Sequence, residues 1–93
     1  MTFVKKFLRH SISWKRSAEK DLGSIPVLQA KNIEKKVEKI IEGDSALDIK
    51  KLQGSFDRPT YRLRVGDYRI IFEDHENIVI ILIVAIKHRK DAY

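Results

Sequence analysis

The chain has 93 residues, 43% of them hydrophobic and 34% charged, with 19 lysines and arginines against 13 acidic residues, a formal net charge of +6 and no cysteine. That balance excludes a disordered chain, a disulfide scaffold and a cysteine metal centre, and it predicts one small basic domain over residues 1–93 that attracts an anionic partner. The start, Met1-Thr2-Phe3-Val4-Lys5-Lys6-Phe7, has neither a long apolar core nor a small-residue cleavage site. The one strongly apolar run, Ile78 to Ile86, is far shorter than the roughly 20 residues of a membrane helix. A cytoplasmic protein with no membrane partner is expected.

Residues 8–15 alternate, Leu8, His10, Ile12 and Trp14 against Arg9, Ser11, Ser13 and Lys15, which predicts a strand with one buried face. Ser17 is placed to cap a short helix that runs through Leu22 and stops at Gly23, with Glu19 in its first turn. Pro26 opens a second helix. There Val27, Ala30, Ile33, Val37, Ile40 and Ile41 recur at spacings of three and four, so they form one apolar stripe, and Gly43 ends it. Two helices with so little between them predict a helical hairpin. Residues 44–60 read mostly as loop, anchored by Leu47, Leu52 and Phe56 and punctuated by Gly54 and Pro59.

Residues 60–66 and 67–73 read as two strands about Gly66-Asp67, a glycine-first loop suited to a type II′ hairpin turn. A second turn, Asp74 to Asn77, leads to a last strand from Ile78 to about Lys87. That strand is apolar on both faces and is expected inside the sheet. The fold class is therefore α+β: a single small domain of order β-α-α-β-β-β, its helical hairpin packed on one face of a mostly antiparallel sheet.

With Gly66 and Asp67 as turn residues, Val65 lies opposite Tyr68, Arg64 opposite Arg69, Leu63 opposite Ile70 and Arg62 opposite Ile71. Arg62, Arg64 and Arg69 then share one face, while Tyr61, Leu63, Val65, Tyr68, Ile70 and Phe72 share the face under the helices. Like charges placed opposite each other destabilise a sheet, and no acidic residue of these two strands offsets them. An anionic ligand relieves the repulsion, and the guanidinium fork suits phosphate oxygens. The alternative is a plain solvated polar face. The tail, Lys87-His88-Arg89-Lys90-Asp91-Ala92-Tyr93, adds a second basic cluster with one imidazole and one phenol. His10 and His75 are read as structural or surface residues.

Three scattered histidines and no cysteine make no metal ligand set, and no phosphate-binding glycine loop or Ser-His-Asp pattern is present, so neither metal nor cofactor is expected. The residues suit metal-free RNA cleavage, in which the ribose 2′-hydroxyl attacks its own phosphate. That reaction needs a base, positive charge on the phosphorane-like transition state, and an acid for the leaving oxygen. Arg62, Arg64 and Arg69 can supply the charge. Tyr93, whose phenol ordinarily titrates at about 10 and is lowered by nearby cations, can serve as base, and Lys87 or His88 as acid.

The stretch Tyr61-Arg62-Leu63-Arg64-Val65-Gly66-Asp67-Tyr68-Arg69-Ile70-Ile71-Phe72 resembles the central hairpin of the RelE/ParE toxin superfamily. The tail Lys87 to Tyr93, the segment Lys50-Lys51-Leu52-Gln53-Gly54 and the early β-α-α order are similar to it too, so the resemblance spans about Leu8 to Tyr93. It implies a type II toxin: a ribosome-dependent, metal-independent endoribonuclease that cuts mRNA through 2′-hydroxyl attack and is neutralised by a cognate small antitoxin. It implies catalytic roles for Arg62, Arg64, Arg69, Lys87 and Tyr93, with Lys50, Lys51, His88, Arg89 and Lys90 binding RNA around them. The family often has lysine where Arg62 and Arg64 stand, and arginine hardly ever deprotonates, so these two are expected to bind charge rather than move protons. The alternatives within the superfamily are a ParE-like DNA gyrase poison and a non-catalytic antitoxin-binding relative.

Overall fold

In the computed structural model, which describes residues 6–91, the first strand is shorter than its alternation suggests. β1 spans Ser11–Trp14, with Ile12 and Trp14 against the core and Ser11 and Ser13 exposed. Residues 8 and 9 turn instead, leaving Leu8 in solvent, while Phe7 is fully buried. α1 spans Arg16–Gly23 and α2 spans Val27–Ile41. Ser17 does not cap α1: Lys15 holds that position without a side-chain bond, and Ser17 Oγ donates to the Val84 carbonyl at 2.9 Å. The α2 stripe buries Ile33, Val37 and Ile40, but Val27 is 68% exposed, because the first turn of the helix overruns the core.

One element was not expected. Asp48–Lys51, which reads as loop in the sequence, forms strand β2, paired antiparallel with β3 (Thr60–Val65). Ile49 is the reason: opposite Leu63 it packs on the core, while its neighbours stay exposed, a half-buried edge strand only four residues long. Phe56, expected as a loop anchor, is 48% exposed. β4 covers Tyr68–His75, a 3-10 turn covers Glu76–Ile78, and β5 covers Ile80–His88. The last strand starts late because Val79 takes a left-handed φ of 56°, which ends the turn.

The strand order β1-β5-β4-β3-β2 puts β5 inside the sheet, as its two apolar faces require. β1 joins β5 in parallel, and the other pairs are antiparallel. Both helices lie on one face, α1 against β5 and α2 against β1 and β3. That face buries Leu63, Ile70, Ile81 and Ile83 together with Phe7, Tyr61 and Phe72, whose rings pack at centroid distances of 5.3 to 5.6 Å. The other face carries neither of these two helices. None of the described helices is long and apolar enough to cross a membrane.

Between β4 and β5 the register slips: Ile71 pairs with Ala85, but Phe72 pairs with Ile83. Val84 is thus an extra residue, a β-bulge, and it reverses which β5 positions face the core. Ile81 and Ile83 point inward before it, Ile86 after it. α1 takes up the backbone groups that the bulge leaves unpaired: Ser17 binds the Val84 carbonyl, and Asp21 Oδ2 accepts from the Ile86 N–H at 2.9 Å.

Candidate nucleic-acid interface

The hairpin forms in the register that its turn dictates. Val65 faces Tyr68, Arg64 faces Arg69, Leu63 faces Ile70 and Arg62 faces Ile71. Gly66 has φ 58°, and Val79 alone among the described non-glycine residues has positive φ, so Asp67 does not, which is the sign pattern of a type II′ turn. Tyr61, Leu63, Val65, Ile70 and Phe72 are buried under the helices, so Arg62, Arg64 and Arg69 occupy the open face.

The neighbouring strands extend this set. Asp48 is the partner of Arg64, and Lys87 is the partner of Arg69. One row across the open face therefore reads Asp48, Arg64, Arg69, Lys87, spanning roughly 15 Å at the usual cross-strand separation. The next row reads Lys50, Arg62, Ile71, Ala85. Lys87 reaches this face only through the Val84 bulge. Arg64 and Lys87 are exposed, and Arg69 is half-buried, its Nη1 donating to the carbonyls of Gly66 at 3.1 Å and Tyr68 at 3.2 Å. Among the described residues, that leaves the other nitrogens of its fork for a ligand.

An acid from outside the hairpin offsets one arginine. Arg62 Nη1 lies 3.2 Å from Asp48 Oδ1, and the carboxylate comes from the unexpected strand β2. Arg62 is thus partly neutralised, and Arg64, Arg69 and Lys87 form the cationic centre.

The remaining expected residues divide. Lys50 stands on the open face opposite Arg62, whereas Lys51 is opposite Tyr61 and points to the helix side. His88 also belongs to that side: it pairs with Tyr68, ring edge to ring face at 5.4 Å. Of the two candidate proton donors, Lys87 alone shares the arginine face. Arg89 and Lys90 follow in a turn strapped to the hairpin. The Arg89 N–H donates to the Asp67 carbonyl at 2.7 Å, Arg89 Nε lies 3.5 Å from the Asp67 carboxylate, and the Lys90 N–H donates to His88 Nδ1 at 3.2 Å. Tyr93 lies outside the described residues.

Two groups are not evident from the sequence. His10 Nε2 is 2.9 Å from Asp74 Oδ1 in the core, where Asp74 also faces Lys6 at 3.6 Å. On the open face beyond Arg62, Arg58 Nη1 donates to His75 Nδ1 at 2.6 Å and His75 Nε2 donates to Glu73 Oε1 at 2.9 Å. The period-two pattern puts Arg69, Glu73 and His75 on one face, which is a usable signal. Nothing local foretells that Arg58 reaches back to them.

The row's chemistry is that of an anion cradle on a flat sheet: two guanidiniums and an ammonium side by side, with few acids among them, set to bind phosphate oxygens and to stabilise added charge on them. A sequence model described as the ParE toxin of the type II toxin–antitoxin system, parDE, matches residues 12–93. Among solved structures, the chain is similar to one in the RelB–RelE antitoxin–toxin complex from Methanococcus jannaschii, at 31% identity and TM-score 0.69, covering 84% of this chain and 91% of that one. It is similar to one in the archaeal RelE–RelB complex from Pyrococcus horikoshii, at 28% identity and TM-score 0.68, covering 86% and 94%. The isolated E. coli RelE toxin shares the fold, at 17% identity and TM-score 0.68 over 85% and 83% of the two chains. No curated protein matches at a comparable level.

Proposed function

The chain belongs to the RelE/ParE family of type II toxin–antitoxin toxins, and on that premise we propose that it is a ribosome-dependent endoribonuclease that cleaves mRNA by 2′-hydroxyl attack. The observation that carries this reading is the open-face row of Arg64, Arg69 and Lys87.

The mechanism follows from the row. Arg64 and Arg69 hold the non-bridging oxygens of the scissile phosphate and stabilise the charge that builds on them as the 2′-oxygen attacks. Neither can serve as base, since a guanidinium keeps its proton. Lys87, beside Arg69, gives its proton to the leaving 5′-oxygen. Tyr93 is the candidate base, and the strap of Arg89 on Asp67 fixes where the tail leaves the sheet. Arg62, held by Asp48, and Lys50 bind phosphates farther along. The RelB antitoxins of the M. jannaschii and P. horikoshii complexes support a cognate antitoxin as this chain's partner. The ribosome and mRNA as targets, in the cytoplasm, belong to the proposed nuclease reading.

Expression without antitoxin is expected to stop translation and leave cuts inside messages. Growth arrest with whole messages and damaged DNA favours the gyrase-poison alternative and overturns the nuclease reading. Free expression without arrest favours the non-catalytic relative.

A further inference from the structure

The open face does not end at Arg62. One strand step on, Thr60 pairs with Glu73, and the loop between β2 and β3 stands over them. Its ends are pinned by backbone bonds, Leu52 N–H to the Thr60 carbonyl and Asp74 N–H to the Pro59 carbonyl, each 2.9 Å. Thr60 is buried beneath it and donates to the Arg58 carbonyl at 3.0 Å. The loop and the sheet border a half-open cavity of about 370 Å³ lined by Ser55, Phe56, Asp57, Arg58, Thr60 and Glu73.

Three features of this cavity stand together. Phe56 is an exposed aromatic, 48% accessible, in a region with no other large apolar side chain exposed among the described residues of the loop. Its ring edge lies 3.5 Å from where a Cβ of Gly54 would stand, and Gly54 has φ 130°, so the ring rests on bare backbone with much of its surface still in solvent. Next, His75 orients two polar groups at once: its Nδ1 accepts from Arg58 and its Nε2–H binds Glu73 Oε1, which fixes the tautomer and holds in place two residues that line the cavity. Last, the carboxylates of Asp57 and Glu73 disfavour a phosphate here, whereas a carboxylate accepts well from an amino group.

We propose that Phe56, Arg58 and Glu73 form a nucleobase-binding site, specific for bases that carry an amino group, at the far end of the RNA path. The inference rests on the RNA-binding reading of the open face. Phe56 stacks on the base, Glu73 accepts from its exocyclic amine, and Arg58 donates to its ring nitrogen or carbonyl. Thr60 is four residues from Arg64, roughly 13 Å along the strand, so one single strand a few nucleotides long engages both places. Uracil is disfavoured because its O4 stands where the amine would be, against the Glu73 carboxylate, and its N3–H faces the Arg58 donor. A protein anchor at Phe56 is the competing occupant, and the continuity with the arginine rows favours RNA.

The test is fluorescence anisotropy with labelled hexaribonucleotides of adenosine, cytidine or uridine and the whole protein. Wild type is expected to bind the adenosine and cytidine hexamers more tightly than the uridine one. Phe56→Ala and Phe56→Leu weaken the first two about tenfold, the scale of one stacked base, and Phe56→Trp restores them. Glu73→Gln erases the preference over uridine. Thermal melts check that every variant is folded. Unchanged affinity in Phe56→Ala, or no base preference in wild type, overturns the proposal. If Arg69→Ala weakens binding and Phe56→Ala does not, the base site fails while the nuclease reading stands. Loss of antitoxin capture by Phe56→Ala with hexamer binding intact makes Phe56 a protein anchor, which also overturns it.

Discussion

Lys87 stands directly opposite Arg69 because β5 carries one residue more than β4 between Ile83 and Ala85. In a regular ladder without the bulge, Lys87 would pair with Tyr68 and point under the helices. The bulge is held by α1, whose Asp21 accepts the Ile86 N–H. Asp21→Ala leaves that part-buried donor without an acceptor and is expected to cost about 1–2 kcal/mol, read by urea unfolding. It also loosens the Lys87 register and lowers cleavage. Asp21→Asn, whose amide oxygen still accepts, keeps most of both.

Arg64 and Arg69 face each other without an acid between them. Arg64→Ala is expected to leave stability unchanged or raise it by a fraction of a kcal/mol, as removal of a solvated like-charge pair does. The same variant binds single-stranded RNA more weakly, and its log affinity against log salt is shallower by about 0.7, the slope of a single neutralised phosphate. A clear fall in stability would mean that Arg64 is a packing residue.

Asp48 answers the opposite question. It neutralises Arg62 and stands at the end of the row beside Arg64. Asp48→Asn is expected to tighten binding of RNA hexamers about fivefold at low salt, the effect of roughly 1 kcal/mol between charges at contact in water, and the gain should fade at high salt. Weaker binding would show that Asp48 positions Arg62 for the ligand.

Much of this site is legible in the sequence. The hairpin register follows from Gly66-Asp67 alone, since a two-residue turn fixes every pair above it, and the period of two then assigns each arginine to a face. The apolar β5 is legible as an interior strand for a similar reason. The features that escape are non-local. β2 is four residues long and has one half-buried isoleucine, too little for a pattern, and its pairing with β3 creates the bond between Asp48 and Arg62. The bulge leaves no mark in an unbroken apolar run from Ile80 to Ile86, so neither the arrival of Lys87 on the arginine face nor the departure of His88 from it is readable there. Ser17 looks like a cap because a cap is a local feature, whereas its partner is 67 residues away.

At the other end of β4, on the core face, Asp74 is buried between His10 and Lys6. Asp74→Ala is expected to cost about 3 kcal/mol, the usual result of removing one member of a buried polar pair, with cleavage retained where the protein stays folded. Lys6 adds a pH dependence. Its pKa is raised above 10.5, chiefly by the hydrogen bond that its Nζ donates to Tyr61 Oη at 3.1 Å, then by attraction to Tyr61, Asp74 and Glu76, against the opposing effect of burial. A raised folded value means that this contribution is complete below the unfolded value near 10.5 and is lost as pH climbs through the folded one. Lys6→Met should therefore flatten the alkaline limb of stability measured by thermal melts, and an unchanged limb contradicts the assignment.

Whether the Arg64–Arg69–Lys87 row binds and cleaves RNA is read by mapping cuts in mRNA held on purified ribosomes, with wild type and Arg69→Ala. Wild type is expected to cut the ribosome-bound message, and Arg69→Ala to cut it at least about a hundredfold more slowly, the cost of removing one transition-state donor, while remaining folded. Equal cutting by the two proteins, or an intact message with wild type, would show that the row does not cleave RNA.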